Sequence, residues 1–124
     1  MKVMHLIVCF FVLALFPVVA QAQNQHEMNA GALKNFKEAD AALNKVYRAL
    51  VLKIDAKSKV KLKLSQKAWI AFRDTEAELI ADFEARGGSM APMIYQGKRA
   101  AFTKERTKQL LKMLKEYGRS TGEP

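Results

Sequence analysis

Leu33, Phe36, Asp40, Leu43, Tyr47, Leu50 and Ile54 follow one another at alternating spacings of three and four. That period keeps all of them on one face of an α-helix and of no other regular structure. The stripe predicts a first helix from about Asn29 to about Lys53. Its one acid, Asp40, interrupts an apolar surface, where a carboxylate is costly to bury unless something pairs with it. Asp55 and Ser58 then supply helix-capping oxygens. In the next segment Val60, Leu64, Ala68, Ala71, Thr75 and Leu79 form one stripe, and Leu62, Trp69, Phe72, Ile80 and Phe83 form a flanking one. A helix apolar on two adjacent stripes is expected in the middle of a bundle, packed on both neighbours.

Gly87-Gly88-Ser89 ends the second helix near Arg86, because glycine accepts the left-handed cap, and Pro92 suits the first turn of a third helix. Met93, Ala100, Leu110, Leu111, Leu114 and Tyr117 carry that helix to Tyr117, with Gly97 weakening its first half by about 1 kcal/mol relative to Ala. No segment shows strand alternation, an internal repeat or low complexity. The expected fold is all-α, an antiparallel three-helix bundle with short connections.

The N-terminus reads differently. Lys2 and His5 precede an apolar run from Leu6 to Val19, and Ala20-Gln21-Ala22 offers the small residues that signal peptidase accepts. The run is too short to span a bilayer, so residues 1–22 are expected to be a cleaved signal peptide. Cys9 lies inside the run behind Val8, which does not suit lipid attachment. Residues 23–118 then form one domain and 119–124 a polar tail, since roughly 100 residues support a single core. The exported chain, periplasmic or secreted, would be cysteine-free and have no transmembrane segment. Packing alone must then stabilise it in a compartment where small domains commonly add disulfides.

The whole chain has 21 Lys and Arg against 12 Asp and Glu, a net charge of +9. That charge favours anionic partners such as lipid phosphates, acidic polysaccharide or an acidic protein, and export argues against a specific nucleic acid. Lys53, Lys57, Lys59, Lys61, Lys63 and Lys67 open the second helix against its dipole, either as a solvated face or as a contact for an anionic surface. Catalysis has little to work with. His26 is the one histidine after the signal, no thiol remains, and Glu76, Glu78, Asp82 and Glu84 fall on several helix faces. No catalytic residue, metal site or cofactor is assigned, and the chain is expected not to be an enzyme.

Within Ser65–Asp74, Trp69 and Phe72 share a helix face with Arg73 beside them and Asp74 next in the chain. Trp69 and Phe72 read as core, because they share a stripe with Phe83. Asn44 and Tyr47 read as packing and helix-to-helix hydrogen bonding. A hairpin turning near residue 55 sets position 40 opposite about position 70, so Arg73 is the expected partner of Asp40, in an ion pair that fixes register. Alternatively, Arg73 and Asp74 belong to a binding face. Gly87-Gly88-Ser89 lacks the preceding strand and the Lys of a phosphate loop and reads as a cap and turn. An exposed turn of this kind is also a place where a binding partner can be met.

Met28-Asn29, Ala39-Asp40, Leu43-Asn44, Tyr47, Leu50, Gln66, Ala68-Trp69, Phe72-Arg73-Asp74, Gly87-Gly88-Ser89, Pro92-Met93, Thr103, Arg106 and Leu110 occur in this order. In that order and spacing the chain resembles the LprI-like lysozyme inhibitor family, from about Met28 to Leu114. The resemblance implies an exported, non-catalytic helical binding domain that blocks the cleft of a cell-wall hydrolase. It adds Arg106 to the binding residues and Thr103 to the structural ones. A basic chain repels a basic lysozyme at long range, so the implied target is an acidic or different hydrolase. The competing reading is a basic envelope module on anionic lipid or polysaccharide. Family members usually carry cysteines where this chain has Gly31, Ala77 and Gly97. The resemblance therefore implies that at least one of these pairs, first Gly31 with Ala77, lies within disulfide reach.

Overall fold

A computed structural model of the protein describes the backbone of residues 2–118 and the side chains of residues 20–118. The described chain forms three helices, α1 (Lys2–Val51), α2 (Ala56–Ala85) and α3 (Ala91–Tyr117), and no strand occurs among the described residues. This is the all-α three-helix bundle that the periodicity predicts. α1 begins far ahead of the expected Asn29, since no Gly or Pro interrupts residues 18–30 and Ala, Gln, Glu and Met favour the helix. Most of the expected signal and the polar tail 119–124 lie outside the residues whose side chains are described. Among the described residues no helix is long and apolar enough to cross a membrane.

The helix ends follow from local chemistry. Asp55 caps α2 in an extended conformation, and its Oδ1 accepts from the Ser58 backbone N–H at 2.7 Å. That backbone bond, with a further one from the Ser58 side chain, holds the Asp55 carboxyl below the usual carboxylate value. α2 stops where two successive residues turn left-handed, Arg86 at φ 48° and Gly87 at φ 73°. The glycine adopts this conformation readily, whereas Arg86 does so at a cost of about 1 kcal/mol. Pro92 lies in the first turn of α3.

α3 lies against both other helices, and the α1 and α2 backbones approach each other only marginally. α3 therefore holds the central position expected of α2. The reason lies in which stripe of α2 is covered. Leu62, Gln66, Arg73, Ala77 and Ala81 face inward, while Val60, Leu64, Ala68, Ala71, Thr75 and Leu79 are all exposed. Phe72 and Phe83 of the flanking stripe, expected in the core, are also exposed, and the Phe72 ring forms a tilted pair with Phe102 at a centroid separation of 6.4 Å.

Two apolar clusters form the core. Leu43 and Leu50 of α1 join Leu62 of α2 and Leu110 of α3, with Tyr47 and Trp69 packed against them. Phe36 and Ala39 of α1 meet Ala100 of α3 nearer the α2–α3 turn. These contacts run α1 and α3 parallel, with α2 antiparallel to both. Between the clusters the interior is polar, and it holds Gln66, Arg73, Thr103 and Arg106.

Candidate functional site

Seven residues, two turns of helix, separate Gln66 from Arg73 on α2 and Arg99 from Arg106 on α3, so each pair lies on one face of its helix. The two helices press these faces together, with α1 presenting Phe36 and Asp40. Arg73 is the hub. Its side chain is 5 % exposed, its Nε donates to Asp74 Oδ1 at 2.8 Å, and its Nη1 donates to Asp40 Oδ1 at 3.3 Å and to Thr103 Oγ1 at 3.4 Å. The guanidinium also lies 5.0 Å from the Phe36 ring centre and 5.2 Å from that of Trp69, within cation–π range. The expected Asp40–Arg73 pair is thus formed, with Asn44 donating to the other Asp40 oxygen at 3.3 Å. One arginine links all three helices.

Arg99 doubles the arrangement. Its Nε donates to the same Asp74 Oδ1 at 2.9 Å, and its guanidinium stacks 3.8 Å from the Phe36 ring centre. Partial burial works to raise the Asp74 carboxyl, yet the hydrogen bonds from Arg73 and Arg99 outweigh it and hold the group below the usual value. Sequence reasoning missed Arg99. The signal available was its position one turn before Thr103 and two before Arg106 on the same face of α3.

Arg106 forms the second node, with neutral partners throughout. It donates to Gln66 Oε1, Gln109 Oε1 and Ser65 Oγ, each at 3.1 Å, and faces Trp69 at 5.8 Å. Burial pushes its guanidinium below the ordinary value, although arginine stays protonated in proteins. Every buried side-chain polar atom among the described residues has a partner. The structure therefore places Arg73 and Arg106, named as binding candidates from sequence, inside the bundle, and leaves Asp74 half-buried between two arginines.

The remaining candidates lie at one end. Gly87, Gly88, Ser89 and Met90 are all exposed, and α2 and α3 converge beneath them. An open groove of about 740 Å³ separates Ser89 and Met90 from the α1 segment that includes Asn24, His26 and Asn29. On the other side, Glu78, Asp82, Gly87, Pro92 and Tyr95 line a second groove of about 660 Å³. Ala77 is fully buried nearby, but a Cβ built on Gly31 or on Gly97 meets no atom within 4 Å. Among the described residues no group of three or more His, Cys, Asp or Glu is placed to hold a metal ion.

Residues 19–110, which contain the whole polar spine and the exposed turn, match the family described as lysozyme inhibitor LprI. The chain belongs to the LprI family. An uncharacterized protein of Rhizobium meliloti (strain 1021) is 39 % identical over 111 residues, and the match covers 79 % of each chain. No solved structure matches this LprI-family chain. The geometry divides the matched residues into two groups. Asp40, Trp69, Arg73, Thr103 and Arg106 tie the helices together, while Gly87, Gly88 and Ser89 are exposed at the α2–α3 turn.

Proposed function

We propose that this chain is an exported, non-catalytic inhibitor of a cell-wall hydrolase, with the Gly87–Met90 turn as the segment that enters the enzyme cleft. The family match over residues 19–110 carries the reading. The turn supports it: Gly87, Gly88, Ser89 and the larger Met90 are exposed at the end of two helices whose relative position Arg73, Arg99 and Arg106 hold. A tip fixed in this way loses little freedom on binding, which favours affinity. The net charge of +9 favours a hydrolase of lower isoelectric point over a strongly basic one.

The test is a peptidoglycan-clearing assay with the purified protein and hydrolases that span a range of charge. Inhibition of at least one, lost in Ser89→Tyr while the thermal midpoint stays unchanged, is the expected result. No inhibition of any hydrolase, or full inhibition by Ser89→Tyr, refutes the assignment of the turn. A second reading rests on Lys57, Lys59, Lys61, Lys63 and Lys67, all of which are exposed. If these serve an anionic envelope surface, the protein binds anionic vesicles or acidic polysaccharide in a strongly salt-dependent manner. Cleft insertion by an uncharged turn depends on salt far less steeply, only through the long-range charge of the two proteins.

A further inference from the structure

From the uncovered face of α2 we infer a self-association surface, on which a second copy of this chain packs its own α2 in the antiparallel direction. This goes beyond hydrolase inhibition and does not depend on it. The face is apolar where solvent alone covers it, with Val60 61 % and Leu64 63 % exposed. Ala68, Ala71 and Thr75 continue it, and small residues at the middle of a helix face let two backbones approach closely. Exposed apolar surface continuous over several helical turns is unusual in a chain that works alone.

Charge selects the occupant. Lys57 and Lys61 lie on this face at one end, and Glu78 and Asp82 lie on it at the other. None of the four forms a salt bridge with another described residue, and Lys57 acts only as a minor contributor to lowering the Asp55 carboxyl. In an antiparallel pair related by a two-fold axis between positions 69 and 70, Lys57 faces Asp82 of the second copy and Lys61 faces its Glu78. The same register sets Val60 against Leu79, Leu64 against Thr75 and Ala68 against Ala71. An isologous interface satisfies each of these pairings twice. An anionic lipid surface would match the lysine end and be repelled by the acidic end. The overall charge of +9 on each copy opposes association at long range, so the local pairs and the apolar middle must overcome it.

Sedimentation of the purified protein over a wide concentration range tests the inference, with charge reversals as the specific probe. The wild type is expected to show a concentration-dependent dimer. Lys57→Glu with Lys61→Glu in one chain, or Glu78→Lys with Asp82→Lys in another, sets like charges opposite each other in its homodimer and weakens it by about tenfold or more. Mixing the two variants makes every facing pair complementary, so the mixture regains the dimer that neither forms alone. Circular dichroism confirms that both variants stay helical. A wild type that is monomeric at every concentration overturns the inference, as do reversed variants that dimerise like the wild type or a mixture that stays monomeric. A monomer whose hydrolase inhibition is lost in Leu64→Glu also overturns it, and assigns the face to the hydrolase.

Discussion

Replacing Asp40 by Ala removes one of the two carboxylates that hold Arg73, and the structure sets the size of the effect. The guanidinium is buried, but Asp40 is 39 % exposed and the Nη1–Oδ1 distance is 3.3 Å, which is long for an ion pair. A hydrogen bond to a charged group contributes about 1.5–3 kcal/mol, and the length and partial exposure bring this one to about 1 kcal/mol. The larger penalty of about 3–5 kcal/mol arises when a buried charge is left without a partner. Here Arg73 keeps Asp74 at 2.8 Å, Thr103 and two aromatic rings. Arg73→Met keeps the apolar contact with Phe36 and Trp69 and releases both acids, while Asp74 keeps Arg99. We expect a loss of about 2 kcal/mol for it, with a coupling to Asp40→Ala of about 1 kcal/mol in a double-mutant cycle. Urea unfolding followed by circular dichroism on the four proteins measures all of these. A loss above about 3 kcal/mol for Asp40→Ala, or strictly additive single mutants, would refute the view that Arg73 is shared between a weak and a strong partner.

Gln66→Glu gives the buried Arg106 a carboxylate in place of an amide at 3.1 Å and should raise stability by about 1 kcal/mol at neutral pH; a lower urea midpoint would contradict it. Gly97→Ala fills open space on α3 and should stabilise by about 0.5–1 kcal/mol. Gly87→Ala meets equally open space but must hold φ 73° and should destabilise, so thermal midpoints moving in the same direction for both would reject the conformational argument. The Asp74 carboxyl is depressed in the folded state, so its contribution is complete above the ordinary carboxylate value of about 4 and is lost as pH falls through the folded one. Asp74→Asn should therefore flatten the acid limb of a stability–pH profile below about pH 4 and lower the plateau above it; an unchanged acid limb would show that Asp74 is not linked to folding.

The three helices and, apart from the start of α1, their ends were legible in the sequence because the forces that set them are local. Asp55 caps α2 through a residue three positions away, Gly87 takes the left-handed turn, and Pro92 opens α3, all within a few residues of chain. The Asp40–Arg73 pair was legible for a related reason, since an acid in an apolar stripe requires a cation opposite it and the hairpin register supplies one. Two features were decided only by the tertiary structure. The sequence shows two apolar stripes on α2, and periodicity alone does not say which one a neighbour covers. α3 takes the central place and covers the Leu62–Gln66–Arg73 face, leaving Val60, Leu64 and Phe72 outside. The role of Arg106 is equally non-local. Its motif position marks it as a binding residue, yet partners 40 and 41 positions away draw it inward. Hydrophobic periodicity records which side chains can be buried, while the docking of whole helices, through contacts distant in sequence, selects which of them are.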